Sequence, residues 1–364
     1  MRIDRYIFGE WLKIFGLAVA AILGLLLLGE VYNELPRFID REASLETVLL
    51  YFFLLIPGYL PSLLPICFFL SLLFSLASLQ RNGEIVAIRS AGVSLFRLSR
   101  PFWVAALGLA GLLLWLNGSL APSSMESSRL LRERVKEDAL AGGSEDFWGT
   151  SRDLAAYLPQ NDELWFVENY RRTSDEAFGL SVNLSSSEAP QRIEAARGVY
   201  DEEKGQWTLT NGVVLPITPA DELPGELVPF DEMVLEGSRM TPILLLGFSQ
   251  RPKDLSLLQL DQLLRQSEGD PKAKPYRVRY LAVLSAPLQF FVVVLIAIPC
   301  ALGTGRSGAS SGFFRAVWIY LGFFAVTAVF SFAGQRSWLP VLASTWTPLV
   351  LAGVAGVWMY RRNA

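Results

Sequence analysis

Long apolar runs alternate with short polar breaks along the chain, and one extended polar region lies in the middle. Six runs contain no charged residue: 14–29, 47–80, 101–125, 280–305, 316–335 and 337–360. Most exceed the roughly 18 to 20 residues that a helix needs to cross the ~30 Å hydrocarbon core of a bilayer. The first is shorter, but Trp11, Leu12, Val31 and Tyr32 extend it. The pattern predicts six transmembrane helices.

Composition agrees with this prediction. Hydrophobic residues make up 52% of the 364 positions and charged residues only 18%, which is too apolar for a soluble domain. The two cysteines, Cys67 and Cys300, fall inside predicted spans, where they are expected to act as small apolar side chains rather than as a disulfide or metal site.

The distribution of Lys and Arg predicts the orientation. Short loops on one side carry most of the cations, and by the positive-inside rule that side is cytoplasmic. We therefore expect both termini in the cytoplasm and the long polar region on the outer side of the membrane. The cytoplasmic cations are Arg2, Arg5, Lys13, Arg81, Arg89, Arg97, Arg100, Arg306, Arg315, Arg361 and Arg362, and the opposite short loops, including 33–43, carry Arg37, Arg41 and Arg336.

The polar region of about 150 residues has the size of an ordinary domain. Its short alternating runs predict an antiparallel β-sandwich or jellyroll, followed by a helix over 255–267. The predicted strands are 164–170, 179–184, 191–200, 206–215 and 233–236, with 201–205 as a hairpin connection. The domain boundaries follow: helices one to three in 1–125, the β domain and its connection in 126–270, and helices four to six in 271–364.

The polar break 80–94 predicts a short helix of its own, over about 82–92. Asn82 is a suitable N-cap, Glu84 lies in the first turn, and Gly92 is a suitable stop. Ile85 and Ile88 share a face with Glu84, so little of the surface is purely polar. A helix of this kind needs a partner surface.

Three features leave alternatives open. Pro57, Pro61 and Pro65 recur every four residues in the second span, either bending an overlong helix or forming a flexible wall beside a cavity. The cations before the fourth span, Lys272, Lys274, Arg277 and Arg279, form either a solvated neck or a basic rim that receives lipid phosphate. The Gly- and Ser-rich stretch 303–312 lacks a following Lys-Ser/Thr, and is interpreted as a flexible hairpin.

The chain lacks the residues of several catalytic classes. It has no histidine, which excludes Ser-His-Asp, Cys-His and His-ligated metal chemistry. The P-loop pattern is also missing, and the predicted spans contain no Asp, Glu, Lys or Arg in their interiors. We therefore expect no enzyme activity, no cofactor and no nucleic-acid partner. Active transport would draw its energy from another subunit.

The chain resembles the LptF/LptG-type permeases of the lipopolysaccharide export ABC transporter over nearly its whole length. The residues that carry the resemblance are 3–6, reading I-D-R-Y, 82–94, reading N-G-E-I-V-A-I-R-S-A-G-V-S, 207–212, reading W-T-L-T-N-G, and 297–299, reading A-I-P. The second stretch is the specific one. The resemblance implies a multi-pass protein of the bacterial inner membrane, with three spans, a periplasmic β-jellyroll and three more spans.

The resemblance implies a function and a set of partners. Two such permeases pair around a cavity and bind a cytoplasmic ABC ATPase dimer, and they pass lipopolysaccharide from the inner membrane to a single-span periplasmic bridge protein. The coupling helix would present Glu84, Ile85, Ile88 and Arg89 to the ATPase. The rim that meets the lipid head group would include Arg37 and Arg41, with Arg277 and Arg279 as weaker matches.

Two points remain open at this stage. The alternative function is an envelope scaffold whose periplasmic domain binds partner proteins, although six spans exceed what an anchor needs. The sequence does not separate the F-like from the G-like partner, and it does not fix homo- or heterodimer formation.

Overall fold

The computed structural model describes residues 2–141, 150–158, 162–171, 174–185, 190–202, 204–217, 227–235, 238, 240–249, 251–253, 255–267, 273–302 and 308–363. It divides the chain into a helical unit, Met1–Lys136 with Lys274–Ala364, and a second unit, Glu137–Ala273. The sequence-based boundary after residue 125 falls within a helix that continues to Ala141.

The first half of the helical unit contains five α-helices. They are α1 (Arg2–Asp40), α2 (Leu45–Arg81), α3 (Glu84–Ser90), α4 (Leu95–Trp115) and α5 (Ala121–Ala141), with a π-helical turn (Leu116–Leu120) between the last two. Ser44 and Ser94 cap α2 and α4 through their hydroxyl oxygens, which accept from the backbone N–H groups of Thr47 and Arg97.

The second unit begins with six antiparallel strands and ends with two helices. The strands are β1 (Thr150–Leu158), β2 (Glu163–Arg171), β3 (Glu176–Leu184), β4 (Gln191–Asp201), β5 (Gln206–Pro216) and β6 (Val228–Leu235), and the helices are α6 (Pro242–Ser249) and α7 (Leu257–Gln266). The chain then returns to the helical unit through α8 (Lys274–Ser285), α9 (Leu288–Leu302), α10 (Gly308–Gln335) and α11 (Val341–Asn363).

The helical unit is that of a multi-span membrane protein, as predicted. Among the residues that the structure describes, five helical segments are long and apolar enough to cross a bilayer, and α8 with α9 make a sixth if the bent pair is one span. The bend of 54° lies at Ala286 and Pro287. Proline has no N–H to donate and disfavours helical geometry in the residue before it, so the helix is broken there, inside the predicted fourth span 280–305.

The prediction of a loop over 33–43 was wrong for most of its length, because α1 stays helical through Asp40. Apolar residues continue at helical spacing past Val31: Leu35 and Phe38 pack with Val48, Tyr51 and Leu55 of α2. This packing outweighs the loop signal given by the mixed charges and by Pro36. Consequently Glu30 and Glu34 lie within the first span rather than after it.

The β unit confirms the predicted antiparallel insertion. In the described residues it is one sheet in sequential order from β1 to β6, with antiparallel pairing throughout. The topology is therefore an up-and-down meander, since each strand pairs with its neighbours in sequence. Strand β1 and helix α6 carried no recognised sequence signal, and residue 203 of the predicted 201–205 connection lies outside the described residues.

One row of residues interrupts pairing across the whole sheet. The row has one residue from each strand. Between every two neighbouring strands, the residues on both sides of the row pair across the ladder, and the two residues in the row do not. Three of its members, on alternate strands, have positive φ: Asp153, Gly179 and Asn211. The alternation of buried residues along each strand shifts at the same place. On β2, the buried residues before the row are Trp165 and Val167, two positions apart, and the next buried residue is Tyr170, three positions further on. The strands therefore bend together along this row, which keeps apolar residues on one face in both halves of the sheet.

The apolar face of the sheet is filled by aromatic side chains and covered by the segment around α6. Trp165 and Trp207 are fully buried, with ring centroids 5.3 Å apart. The Trp207 indole N–H donates to the carbonyl oxygen of Met240 at 2.7 Å, and Leu244 and Leu245 of α6 are buried. Helix α7 confirms the predicted helix over 255–267, with Ser256 and Gln259 forming a capping box.

Gly212 is a position where the sheet has no room for a side chain. A Cβ there would lie 2.3 Å from the Phe230 ring and 2.4 Å from the Glu194 carbonyl oxygen. We expect Gly212→Ala to destabilise the β unit by about 2 kcal/mol, since overpacking against backbone forces strands apart. Protease susceptibility in increasing urea measures this. Gly108→Ala, on an open face of α4, is the matched control, and equal susceptibility of the two variants would contradict the packing.

Candidate functional site

Helix α3 is set between two glycines with left-handed backbone. Gly83 has φ +74° before it and Gly92 has φ +80° after it. The backbone N–H of Val93 donates to the Ile88 carbonyl oxygen at 3.4 Å, closing the helix as a Schellman motif does. Gly92 is thus the predicted stop. Asn82 is not the N-cap of α3: it is the C-cap of α2, and it donates through its side chain to Glu84.

The structure separates the predicted coupling residues into an inner and an outer set. Ile85 is only 4% exposed and lies in the core of the helical unit, with Ile88 packed partly against it. Val86 is 67% exposed, and Ala87 and Ser90 are exposed beside it. The side chain of Arg89 lies outside the described residues. Ile85 therefore holds α3 to the bundle, while the opposite side of α3 faces outward.

Glu84 lies at the edge between these two sides. Its Oε1 accepts from the Tyr6 hydroxyl and from the Asn82 side-chain amide, each at 3.3 Å. Tyr6 belongs to the first turns of α1, so Glu84 connects α3 to the beginning of α1. Its carboxylate is half-buried and positioned by both contacts.

A second polar site lies near the other end of α1. Glu34 is buried, and its Oε1 accepts from the guanidinium of Arg37 at 2.6 Å and from that of Arg132 at 3.3 Å. Arg132 belongs to α5, so the carboxylate joins two helices. We call Glu34, Arg37 and Arg132 the Arg–Glu–Arg cluster.

Glu30, one helical turn before Glu34, extends this polar region to α2. The hydroxyl groups of Tyr51 and Tyr59 donate to its two carboxylate oxygens at 3.4 and 3.2 Å. The Tyr51 ring also packs against Phe38, with centroids 5.0 Å apart. Glu30 and Glu34 thus hold α1 to α2 and to α5.

The other predicted rim residues occupy two places. Arg41 is half-buried in the turn after α1. Arg277 and Arg279 are half-buried on α8, which packs against α10 and α11. Lys272 and residues 303–307 of the Gly- and Ser-rich stretch lie outside the described residues. The structure brings Arg37 and Arg41 to the end of one helix and Arg277 and Arg279 onto another.

The sequence interpretation missed Glu34 and Arg132. Because the first span was extended only to Tyr32 and the third was ended at Met125, Glu34 was assigned to the predicted loop 33–43 and Arg132 to the polar region after the third span. The signal that indicated otherwise was the helical spacing of Glu30, Glu34 and Arg37, three and four residues apart. Among the described residues, no group of three His, Cys, Asp or Glu side chains has the geometry of a metal site.

The chain was also compared with models of known protein families. The family model described as lipopolysaccharide export system permease LptF/LptG matches residues 5–362. No curated protein matches the chain. The matched range contains α3, the Arg–Glu–Arg cluster and every strand of the sheet.

The burial of Ile85 predicts that α3 is attached by this side chain. Ile85→Ala leaves a cavity in the core, so we expect a loss of about 2 to 4 kcal/mol. Val86→Ala, one residue along and exposed, should change stability by less than about 0.5 kcal/mol. Thermal unfolding of the detergent-solubilised protein compares the two variants. An equal shift in melting temperature for both would show that α3 is not held in this way.

Proposed function

This chain belongs to the LptF/LptG family of lipopolysaccharide export permeases, and we propose that it is the membrane-spanning subunit of an ABC transporter. It extracts lipopolysaccharide from the inner membrane and passes it to a single-span periplasmic bridge protein. A separate cytoplasmic ABC ATPase dimer supplies the energy, and a second permease of the same family completes the cavity. The observation that carries the proposal is the family match over 5–362 together with the helix α3 between two spans.

The lipid itself sets the energy requirement. Each CH2 group taken from the bilayer into water costs about 0.8 kcal/mol, so extraction of one long acyl chain far exceeds thermal energy. An exporter therefore needs both an input of work and an apolar route. Exposed apolar side chains along α1, including Leu17, Leu25 and Leu28, supply such a surface in the membrane.

The structure of α3 suits a coupling element. Its exposed side carries Val86, Ala87 and Ser90, a small apolar patch that an ATPase groove can cover, with Glu84 at its edge for a cationic partner. Its inner side is held by Ile85 in the helical core. A displacement of α3 is therefore transmitted to the bundle through packing, and to α1 through the hydrogen bond between Tyr6 and Glu84.

The proposed topology places both termini in the cytoplasm and the β unit in the periplasm. In this orientation Arg37 and Arg41 lie at the periplasmic end of α1. Guanidinium groups bind phosphate oxygens through charge-assisted hydrogen bonds, which suits them to receive a lipid head group there. Arg277 and Arg279 on α8 form the second part of the proposed rim.

Reversing the charge at Glu84 tests the coupling. In the assembled complex, Glu84→Arg places a cation against the proposed cationic partner, and we expect ATPase affinity to fall more than ~10-fold. Co-purification and lipid-stimulated ATP hydrolysis measure the effect. Glu10→Arg is the matched control, since Glu10 lies on α1 in an ion pair with Lys13.

Full ATPase association and full stimulation in the Glu84→Arg complex would contradict the coupling role. A wild-type protein that binds periplasmic partners but never stimulates ATP hydrolysis would instead indicate an envelope scaffold.

Charge reversal at the end of α1 tests the proposed rim. We expect Arg37→Glu combined with Arg41→Glu to lower photo-crosslinking to lipopolysaccharide roughly tenfold, because two charge-assisted contacts are replaced by repulsion. Arg336→Glu is the control, since Arg336 is another cation in a short loop of the same proposed side and lies against the Phe332 ring. Crosslinking that falls equally in the control would show a general charge effect instead of a rim.

A further inference from the structure

The hydroxyl group of Tyr6 is one of two donors that hold the Glu84 carboxylate. Tyr6 lies 78 residues before Glu84 in the sequence and is 49% exposed. The next residue, Ile7, is 1% exposed and belongs to the helical core. Packing in the core therefore accounts for Ile7 and not for Tyr6. The contact that the structure does show for Tyr6 is the hydrogen bond from its hydroxyl to Glu84.

Both donors approach the same oxygen of the carboxylate. Oε1 of Glu84 accepts from the Tyr6 hydroxyl and from the Asn82 side-chain amide, each at 3.3 Å, while Oε2 accepts from no side chain that the structure describes. Hydrogen bonds to an ionised carboxylate are stronger than those between neutral groups, so two of them restrict its orientation. Each carboxylate oxygen also has more than one acceptor site. Oε2 is therefore the oxygen that is available to a cation from outside the chain.

Helix α3 by itself does not fix the direction of this carboxylate. It has seven residues, and Glu84 is the first of them, directly after Gly83. Glycine restricts the backbone least, so the entry into α3 is a flexible point of the chain. The Glu84 side chain adds several rotatable bonds, whose freedom costs free energy when a partner orders them. A hydrogen bond from a second helix removes part of this freedom in advance.

The helix that provides this hydrogen bond is firmly attached at the same end. Ile7 and Trp11, within two turns of Tyr6, are 1% and 2% exposed. The Trp11 indole N–H donates to the hydroxyl of Ser71 on α2 at 2.9 Å, and the Trp11 ring meets Phe68 edge-on. Tyr6 therefore ties Glu84 to the packed contact between α1 and α2, and not to another mobile segment.

We propose that Tyr6 is a positioning residue for the ATPase contact: its hydroxyl holds Glu84 so that Oε2 faces the cation of the ATPase. The inference rests on the proposed coupling function of Glu84. A carboxylate that is oriented in the free protein loses less side-chain entropy on association, so the partner binds more tightly without touching Tyr6. Because Tyr6 lies on α1, the ATPase contact also depends on the position of the first turns of α1.

Removal of the Tyr6 hydroxyl tests this role. The full-length protein in nanodiscs is titrated with the co-expressed ABC ATPase subunit, and the dissociation constant and the lipid-stimulated rate of ATP hydrolysis are measured. Tyr6→Phe keeps the ring and removes one hydrogen bond, so we expect the affinity to fall roughly 3- to 10-fold. Tyr32→Phe is the matched control, since Tyr32 is 84% exposed on the same helix, and it should keep the wild-type affinity.

A double-mutant cycle separates positioning from a structural effect of Tyr6. In the Glu84→Ala protein there is no carboxylate to orient, so Tyr6→Phe should change the affinity less than ~2-fold in that background. Equal losses in the two backgrounds would show that Tyr6 acts independently of Glu84 and would overturn the inference. A Tyr6→Phe protein with wild-type affinity and wild-type stimulation, in which only the melting temperature has changed, would do the same.

The outcomes separate this inference from the function on which it rests. If the wild-type protein does not bind the ATPase, or if Glu84→Ala binds it as tightly as wild type, the proposed coupling fails. If Glu84→Ala weakens binding and Tyr6→Phe does not, only the positioning role is wrong.

Discussion

The packing of α2 is the constraint on which the rest of the helical unit depends. Helices α1, α3, α4, α9 and α10 all contact it. Its core is aromatic: Phe69 stacks on Tyr320 with centroids 4.2 Å apart, and Phe68 meets Trp11 and Phe290 edge-on. These large rings bury extensive apolar area at the contacts between three helices, so α2 fixes their positions. The three prolines lie within this helix without ending it.

Helix α1 depends on α2 in a different way, because its buried residues lie only near its two ends. Ile7 and Trp11 are buried at one end, where the Trp11 indole N–H donates to the Ser71 hydroxyl at 2.9 Å. Phe38 and the Arg–Glu–Arg cluster hold the other end. No residue from 12 to 33 is buried within the chain. A helix held in this manner leaves a long apolar face for lipid or for a second transmembrane partner.

Elements that depend on hydrophobic periodicity and charge were predicted from the sequence. Elements whose position depends on tertiary contacts were not. The apolar runs predicted the spans, and alternation with turn signals predicted most strands. The end of α1 was missed because its last turns are stabilised by the packing of Leu35 and Phe38 against α2. Local sequence pattern does not show such a tertiary contact. Asparagine is a suitable residue both for the N-cap of α3 and for the C-cap of α2. Only the position of Gly83, directly after Asn82, makes Asn82 the C-cap of α2. The row of bends was not foreseen, since Asp153 and Asn211 adopt positive φ only when neighbouring strands bend with them.

The two ends of α1 differ in the kind of interaction that holds them, and this difference bears on transport. Aromatic packing around Trp11 cannot be replaced by a ligand without exposing apolar area, so that end behaves as a fixed attachment. The Arg–Glu–Arg cluster consists of ion pairs between a buried carboxylate and two arginines whose side chains are 60% and 44% exposed, so solvent and salt weaken that attachment more than they weaken aromatic packing. The fixed end lies next to α3, where Tyr6 contacts Glu84. In the proposed coupling, a movement of α3 would therefore act on α1 first at its aromatic end, and would reach the Arg–Glu–Arg cluster only through the length of the helix.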